Sequence, residues 1–187
     1  MKKIISIILA LILMFTLASC TRPFIDPSST PLNMADISTP ELNGITYTAY
    51  GIQFEIKEDW EVEVDGIYTD IYFNKYFLSC VTFAEPMYTG IGQFTKTEIE
   101  REMEIYAENR EGNVTVADAY QVIVDNEKVW VIDVFEEMSG VEFQLTFWMY
   151  RTGSDTYIWS YIAPVYEYET YLPYAQALVK SMKLPAI

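Results

Sequence analysis

The chain has 187 residues and a formal net charge of −15 at pH 7, and it contains no histidine. Its length suits one ordinary domain plus a leader, and its 51% of apolar residues can build a core. A domain this acidic is repelled by nucleic-acid phosphates and anionic lipid headgroups, which argues against nucleic-acid binding. Without histidine, a Ser/His/Asp triad and histidine-ligated zinc sites are excluded.

The start of the chain, residues 1–19, resembles a bacterial lipoprotein signal peptide. Two lysines follow the first methionine, and residues 4–17 form an apolar run that is too short for a comfortable membrane span. The next letters, LASC, are similar to the lipobox that precedes lipid attachment. The resemblance implies that the Cys20 sulfur receives a diacylglyceryl group, so that acyl chains hold the mature protein outside the cytoplasm on the bacterial cell membrane. The alternative is an ordinary secretion signal with a chance cysteine.

The segment after the signal, residues 20–45, is predicted to be the lipidated cysteine and a flexible tether. It carries four prolines and many small polar residues, and it keeps no helical or alternating pattern. The folded domain is therefore placed at residues 46–187. The other cysteine, Cys80, has no disulfide partner once Cys20 carries lipid. It lies in the apolar run FLSCVTFAE, which indicates a buried and unreactive thiol.

The pattern after residue 46 predicts an antiparallel meander and two helices. Alternation at Ile52, Phe54 and Ile56 indicates a first strand. A helical period follows, with a capping box at Thr95 and Glu98, and a final helix is expected over 169–182 with Pro173 in its first turn. The remaining strands are predicted at 67–73, 78–84, 114–124, 128–137, 141–150 and 156–163.

The short connections between the last four strands predict how the strands pair. A two-residue turn at 126–127 places Val122 opposite Val131 and Tyr120 opposite Asp133. A three-residue loop at 138–140 places Trp130 opposite Trp148. A four-residue loop at 152–155 then places Trp148 opposite Trp159.

These pairings give the sheet two apolar faces. If one face of the antiparallel sheet lay in water, an apolar face would be exposed, so both faces should be covered. We therefore expect an α+β fold with about six to seven strands and helices on both faces, an α/β/α sandwich. One face is predicted to carry Val129, Val131, Phe135, Phe143, Leu145, Phe147, Met149, Ile158 and Ile162. The other is predicted to carry Trp130, Ile132, Trp148, Tyr150, Tyr157, Trp159 and Tyr161.

The tryptophan row on the second face has two interpretations. Aromatic rows stack on sugars, bases or apolar peptides, so a binding surface is one hypothesis. Core packing beneath a helix is the other, and it is favoured. The binding surface would consist of Trp130, Trp148, Trp159, Tyr157 and Tyr161, with the Tyr-rich segment YIAPVYEYETYLPY as its rim.

No catalytic, cofactor-binding or metal-ligating residue is assigned from the sequence. Asp133 is the single acid in the middle of an apolar strand, and a hydrogen bond from Tyr120 or exposure at an edge is favoured over a catalytic role. Glu136, Glu137 and Glu142 cluster at a hairpin end, but their spacing matches no calcium loop, so a solvated acidic end is favoured. Glycine-rich nucleotide-binding motifs are absent from the sequence.

Two short motifs resemble those of PsbP-like domains, the group that includes DcrB-type bacterial lipoproteins. GIQFEIKEDW is similar to the opening strand of that family, with Lys57 where the family usually has proline. YAQALVKSMKL, with Ser181 near its end, is similar to the closing helix, and the resemblance covers residues 47–184. It implies an α/β/α sandwich and a non-enzymatic assembly factor, adaptor or accessory subunit. Metal sites of some relatives use histidine, so they do not carry over.

The leading hypothesis is a membrane-anchored surface lipoprotein with a non-catalytic binding or adaptor domain, no cofactor and a protein partner in the cell envelope. Two alternatives remain open. One is a solute-binding lipoprotein with an aromatic groove. The other is an envelope hydrolase with paired carboxylates, because 27 acidic residues leave many pairs unplaced.

Overall fold

The computed structural model describes residues 30–88, 92–110 and 112–185, which form an α+β fold. Its two α-helices within these residues are α1 (Lys96–Glu108) and α2 (Val165–Ser181). Short 3-10 helices lie at Met34–Asp36 and Lys75–Phe77. The strands are β1 (Leu32–Asn33), β2 (Ile45–Ala49), β3 (Ile52–Ile56), β4 (Glu61–Asp65), β5 (Tyr68–Asn74), β6 (Ser79–Ala84), β7 (Met87–Tyr88), β8 (Val114–Val124), β9 (Glu127–Met138), β10 (Val141–Thr152) and β11 (Asp155–Pro164).

Nine of these strands form one sheet, in the order β1-β8-β9-β10-β11-β6-β5-β4, with β7 pairing to β11. Every strand pair of this sheet is antiparallel except β1 with β8. The strands β2 and β3 form a separate hairpin. The predicted meander is confirmed, but the expected six to seven strands were too few, since β1, β4 and β7 were not predicted. Of these, β1 and β7 have two residues each and carry no alternating pattern.

All three hairpin turns differ from the expected ones, and in two cases the strand register changes with them; at the third, Thr152 pairs with Asp155 and the expected register is kept. Asp125 and Asn126 both have positive φ and form a two-residue turn, so Val122 pairs with Val129 rather than with Val131. Residues 139–140 likewise form a two-residue turn with positive φ, so Trp148 pairs with Val131 and not with Trp130. The pairing of Trp148 with Trp159 is confirmed.

Each face of the sheet covers its own cluster of buried apolar side chains. The first cluster joins the sheet to α2 and to the β2–β3 hairpin, and Phe54 of that hairpin stacks on Phe83 of β6 with ring centroids 4.5 Å apart. The second joins Ile99 and Met103 of α1 to the opposite face. Both faces are apolar because each packs against other elements, as the sequence indicated.

One strand presents its side chains to the faces opposite to those expected. Val129 and Val131 belong to the first cluster. Ile132 belongs to the second cluster, and the half-buried Trp130 packs against it. The predicted faces of this stretch of β9 are therefore wrong. The cause is the 139–140 turn, because a change of one residue in strand pairing moves every side chain to the other face.

Residues 30–44, which we call the N-terminal strap, pack on the domain. Met34 and Leu42 are buried in the first cluster, and Lys180 of α2 donates a hydrogen bond to the Ile37 carbonyl at 2.8 Å. The prediction of a flexible tether is thus wrong for its described part, because apolar side chains among its prolines join the core. Residues 20–29 of that segment lie outside the described residues.

The closing helix α2 begins four residues earlier than predicted. It follows directly from Pro164, the last residue of β11, and Pro173 lies inside it instead of in its first turn. The capping box of α1 is confirmed, since the Thr95 amide donates to Glu98 Oε2 at 2.8 Å and the Glu98 amide donates to Thr95 Oγ1 at 3.3 Å. Neither described helix has the length and apolar character needed to cross a membrane.

Candidate functional site

The proposed aromatic binding surface is part of the core. Trp148 is 3% exposed and Trp159 is fully buried, and their rings lie parallel with centroids 6.5 Å apart. Tyr157 and Tyr161 are also buried. These four side chains lie under α2 and the β2–β3 hairpin, so the hypothesis of an open aromatic groove is wrong and the core-packing interpretation is correct for them.

Trp130 does not extend that row. It lies half-buried on the other face of the sheet, where its indole nitrogen donates to the Phe94 carbonyl at 3.1 Å. This bond ties β9 to the chain just before α1. Trp130 therefore has a structural partner of its own.

Asp133 is a buried carboxylate that forms part of a hydrogen-bonded chain. It is 4% exposed, and the Thr146 hydroxyl on the neighbouring strand β10 donates to its Oδ1. The hydroxyls of Thr146 and Tyr168 are also hydrogen-bonded, which links this carboxylate to α2. Tyr120 lies opposite Val131 rather than opposite Asp133, so the expected cross-strand pairing and the exposure at an edge are both wrong.

A small cleft lies beside this chain, between the N-terminal strap, the sheet and α2. Its volume is about 90 Å³. Its lining is Leu32, Met34, Ile37, Tyr120, Val122, Val131, Thr146, Trp148, Tyr168, Leu172 and Gln176. Asp118 pairs with Asp133 across β8 and β9, but neither residue lines this cleft. The two carboxylates therefore do not face a substrate-sized space here, as a glycoside hydrolase would require.

The three glutamates at the β9–β10 hairpin do not converge. The Glu136 side chain is buried, accepts a hydrogen bond from the Tyr106 hydroxyl at 2.6 Å and lies 3.4 Å from Arg110 Nε. Glu137, its neighbour in the strand, is exposed and pairs with Glu142. Successive strand residues point to opposite faces, so a shared calcium site is not formed. Within the described residues, no group of three or more Asp, Glu, Cys or His side chains is arranged to hold a metal.

An open depression of about 690 Å³ lies near these glutamates. It lies between the end of α1 and the β9–β10 turn, and its described lining includes Arg110, Asn113 and Glu136.

Burial, followed by the hydrogen bond to Glu136, raises the pKa of Tyr106 to about 12. A phenol this weakly acidic stays protonated at neutral pH and holds the carboxylate in place.

A surface of exposed apolar side chains lies at one end of the sheet. We call it the apolar tip and define it as Tyr76, Phe77, Leu78, Val165 and Tyr166. Tyr76 is 97% exposed and Tyr166 is 66% exposed. The rings of Phe77 and Tyr166 meet edge to face with centroids 5.9 Å apart, which joins the β5–β6 connection to the start of α2.

The backbone beneath the apolar tip is held in place. The Asn74 side chain accepts a hydrogen bond from the Tyr76 amide at 3.1 Å and donates one to the Tyr171 hydroxyl at 3.1 Å. Leu78 adopts the left-handed conformation with φ 53°, which costs a residue other than glycine roughly 1–2 kcal/mol. Strain of this kind persists only where the surroundings fix it, so the backbone that carries the tip is held in one conformation.

The rim of the apolar tip is acidic. Lys75 Nζ lies 2.6 Å from Glu61 Oε1 and also contacts Glu63, and these two carboxylates raise the pKa of Lys75. Glu167 follows Tyr166 in the first turn of α2. One lysine and three glutamates thus lie next to the tip in the chain or in contact with its neighbour Lys75, and their net charge is negative.

The sequence indicated this surface only in part. Tyr166 lies in the Tyr-rich segment that was expected to form a rim, but Tyr168 of the same segment is fully buried. Tyr76, Phe77 and Leu78 were missed, because KYFL is continuous with the following apolar strand in the sequence. Cys20, the predicted lipidation site, lies outside the described residues.

Comparisons with known proteins identify the fold. No family model matches the sequence, and no curated protein matches it either. Among solved structures, cyanobacterial PsbP (CyanoP) from Synechocystis sp. PCC 6803 is similar with a TM-score of 0.53 and 8% identity, over 80% of this chain and 99% of that one. The fold is therefore PsbP-like, as the short motifs indicated.

Two further structures share this architecture. PA94 from Pseudomonas aeruginosa, a protein of unknown function, has a TM-score of 0.53 and 10% identity over 76% of this chain and 97% of its own. A Bacteroides thetaiotaomicron protein has a TM-score of 0.50 and 13% identity over 76% of this chain, which spans only 49% of that longer protein. At these identities the likeness establishes the fold alone.

Proposed function

We propose that this protein is a membrane-anchored lipoprotein whose PsbP-like domain binds another protein without catalysis, and that the apolar tip is the binding surface. The observation that carries the proposal is the exposure of five apolar side chains on a fixed backbone. Exposed apolar patches on otherwise polar surfaces mark interaction sites, and tyrosines are frequent among the residues that dominate binding energy.

The buried polar groups support a non-catalytic role. Asp133 and Glu136 both accept hydrogen bonds from neighbouring side chains and serve to join strands to helices. Cys80 is buried, and burial raises its pKa to about 12, so its thiolate is scarce at neutral pH. These groups have structural partners and lack the exposure that a reacting group needs.

The anchor is the second part of the proposal. The apolar run and LASC support lipid attachment at Cys20. Growth of the producing bacterium with an alkyne-tagged palmitate should label the mature protein, and Cys20→Ser should abolish the label. Labelling that persists in Cys20→Ser would contradict the anchor.

Binding through the tip is tested by photocrosslinking in the same cells. The photoreactive residue p-benzoyl-phenylalanine replaces Tyr76 in one variant and Tyr68 in the other. Tyr68 is 47% exposed and lies at the opposite end of β5, so it is a matched control. We expect a discrete protein adduct from position 76 and none from position 68. Equal adducts from both positions, or none from either, would refute binding at the tip.

A further inference from the structure

We infer that the cleft between the N-terminal strap, the sheet and α2 is a binding site for a small uncharged molecule with a short alkyl body and one hydroxyl group. The inference goes beyond the proposed function, because the cleft and the apolar tip share no residue. It follows from the apolar walls of the cleft, from the polar groups at its base and mouth, and from its volume.

Three parts of the fold line the cleft. On α2, Tyr168, Leu172 and Gln176 follow one another at intervals of four residues, so they lie on one stripe of the helix. The strap and the neighbouring strands β8, β9 and β10 contribute apolar side chains: Leu32, Met34, Ile37, Val122, Val131 and Trp148. The walls of the cleft are therefore mainly apolar and suit an alkyl group.

The base of the cleft presents a hydrogen-bond acceptor. Thr146 and Tyr168 are the most buried polar side chains of the lining, at 3% and 0% exposure. The Thr146 hydroxyl donates its single hydrogen to Asp133, so Tyr168 donates the bond between the two hydroxyls. A hydroxyl oxygen accepts up to two hydrogen bonds, which leaves one acceptor position on Thr146 Oγ1 among its contacts with the described residues. A ligand hydroxyl that donates a hydrogen bond fits this position.

The mouth of the cleft carries an amide, and the described lining contains no ionisable Asp, Glu, Lys or Arg side chain. The half-buried side chain of Gln176 forms no hydrogen bond with the described residues, and its amide can both donate and accept. A charged ligand would enter this apolar space without an ion pair in the lining, which is costly. A carboxylate would in addition approach the carboxyl group of Asp133 behind Thr146. These features favour an uncharged ligand.

The volume of the cleft favours a ligand over water. The cleft of about 90 Å³ corresponds to roughly three water molecules at their volume in the liquid. Each buried water makes about three hydrogen bonds, which a mainly apolar lining cannot supply to all of them. An apolar cavity of about 150 Å³ in another protein holds one benzene molecule, so by proportion this cleft takes roughly four heavy atoms. That is the size of propanol.

The test uses the full chain in detergent micelles, with methionine methyl groups labelled with carbon-13 for NMR. Titration with 1-propanol should shift the Met34 methyl signal to saturation, with half-saturation in roughly the millimolar range or below. The Met103 methyl signal, on the opposite face of the sheet, is the internal control and should not shift. Acetate and propylammonium match 1-propanol in heavy atoms, and each should bind about tenfold more weakly or worse because of its charge.

Two variants locate the ligand in the cleft. Leu172→Phe should fill part of the space and weaken binding of 1-propanol by about tenfold or more. Leu184→Phe, at another half-buried position on the first cluster but outside the cleft, is the matched control and should leave binding unchanged. Thr146→Val should lower the preference for 1-propanol over 1-chloropropane by about three- to tenfold, since only the alcohol can donate to the Thr146 oxygen.

Each other outcome overturns the inference. Absence of a saturable shift at Met34, an equal shift at Met103, or binding that Leu172→Phe leaves unchanged would show that the cleft is not the site. Acetate or propylammonium bound as tightly as 1-propanol would refute the uncharged class, and an unchanged preference in Thr146→Val would refute the role of the ligand hydroxyl. None of these results bears on crosslinking at the apolar tip, so the cleft and the proposed function fail or stand separately.

Discussion

Replacement of Thr146 by valine tests the account of the buried chain most directly. The two side chains have nearly the same shape, and valine is well accommodated in strands. The change removes the hydroxyl that donates to Asp133 and that also bonds the Tyr168 hydroxyl. Each hydrogen bond of this kind contributes about 0.5–1.5 kcal/mol. Since two are lost, we expect the free energy of unfolding to fall by about 1–3 kcal/mol.

Urea denaturation followed by tryptophan fluorescence measures this change, because Trp148 and Trp159 are buried in the folded state. Thr48→Val is the matched control, since Thr48 is exposed on β2 and its loss of a hydroxyl should change stability by less than about 0.5 kcal/mol. The denaturant slopes should agree between the variants, so that midpoints report stability. A loss below about 0.5 kcal/mol in Thr146→Val would show that Asp133 does not depend on this hydroxyl.

Three further predictions concern the helices, the strap and one glycine. Hydrogen bonds from the Thr95 amide and hydroxyl, with a smaller contribution from Arg151, lower the pKa of Glu98 to about 2, so its stabilising effect is present above pH 4.5 and is lost as pH falls toward 2. The parent protein should therefore lose part of its stability between pH 4.5 and pH 2 through Glu98, and Glu98→Gln should lack this part of the loss. Urea midpoints measured across this pH range will report the difference. Met34→Ala should cost about 2–4 kcal/mol in the same assay, because Met34 anchors the strap in the core; an unchanged midpoint would contradict strap docking. Gly44→Ala should cost about 1–3 kcal/mol, since its Cβ would lie 1.6 Å from the Ile56 carbonyl oxygen and the backbone must shift.

The sequence predicted the elements of the fold better than their pairing. The strand boundaries from β8 to β11 are confirmed within two residues, because alternation and turn residues mark them. The pairing failed where the number of residues in a turn had to be chosen. Ser139 adopts a positive φ beside Gly140, and a serine in that position carries no clear turn signal. One residue of error there moved Trp130 away from Trp148 and created a tryptophan row that the fold does not contain.

The candidate site was harder to predict, because exposure depends on tertiary packing. Tyr161, Tyr168 and Tyr76 look alike in sequence, yet the first two are fully buried and the third is almost fully exposed. Tyr161 is buried in the first cluster, where its hydroxyl donates to the Tyr168 carbonyl at 2.8 Å and so keeps a hydrogen-bond partner. Tyr76 is exposed because the 3-10 turn that carries it extends beyond the end of the sheet. Aromatic content therefore predicted a recognition surface but not its position.

Three acidic residues of the domain share one physical role. Asp133, Glu136 and Glu98 each connect the sheet or its helices through a named donor: Thr146 for the first, Tyr106 for the second and Arg151 for the third. A carboxylate placed between a strand and a helix fixes their relative position, since its bonds are directional whereas apolar contacts are not. The bond between Thr146 and Tyr168 extends the Asp133 chain to α2, the helix that begins with Val165 and Tyr166 of the apolar tip. Loss of these internal bonds should therefore weaken binding at the tip even where the tip itself is unchanged.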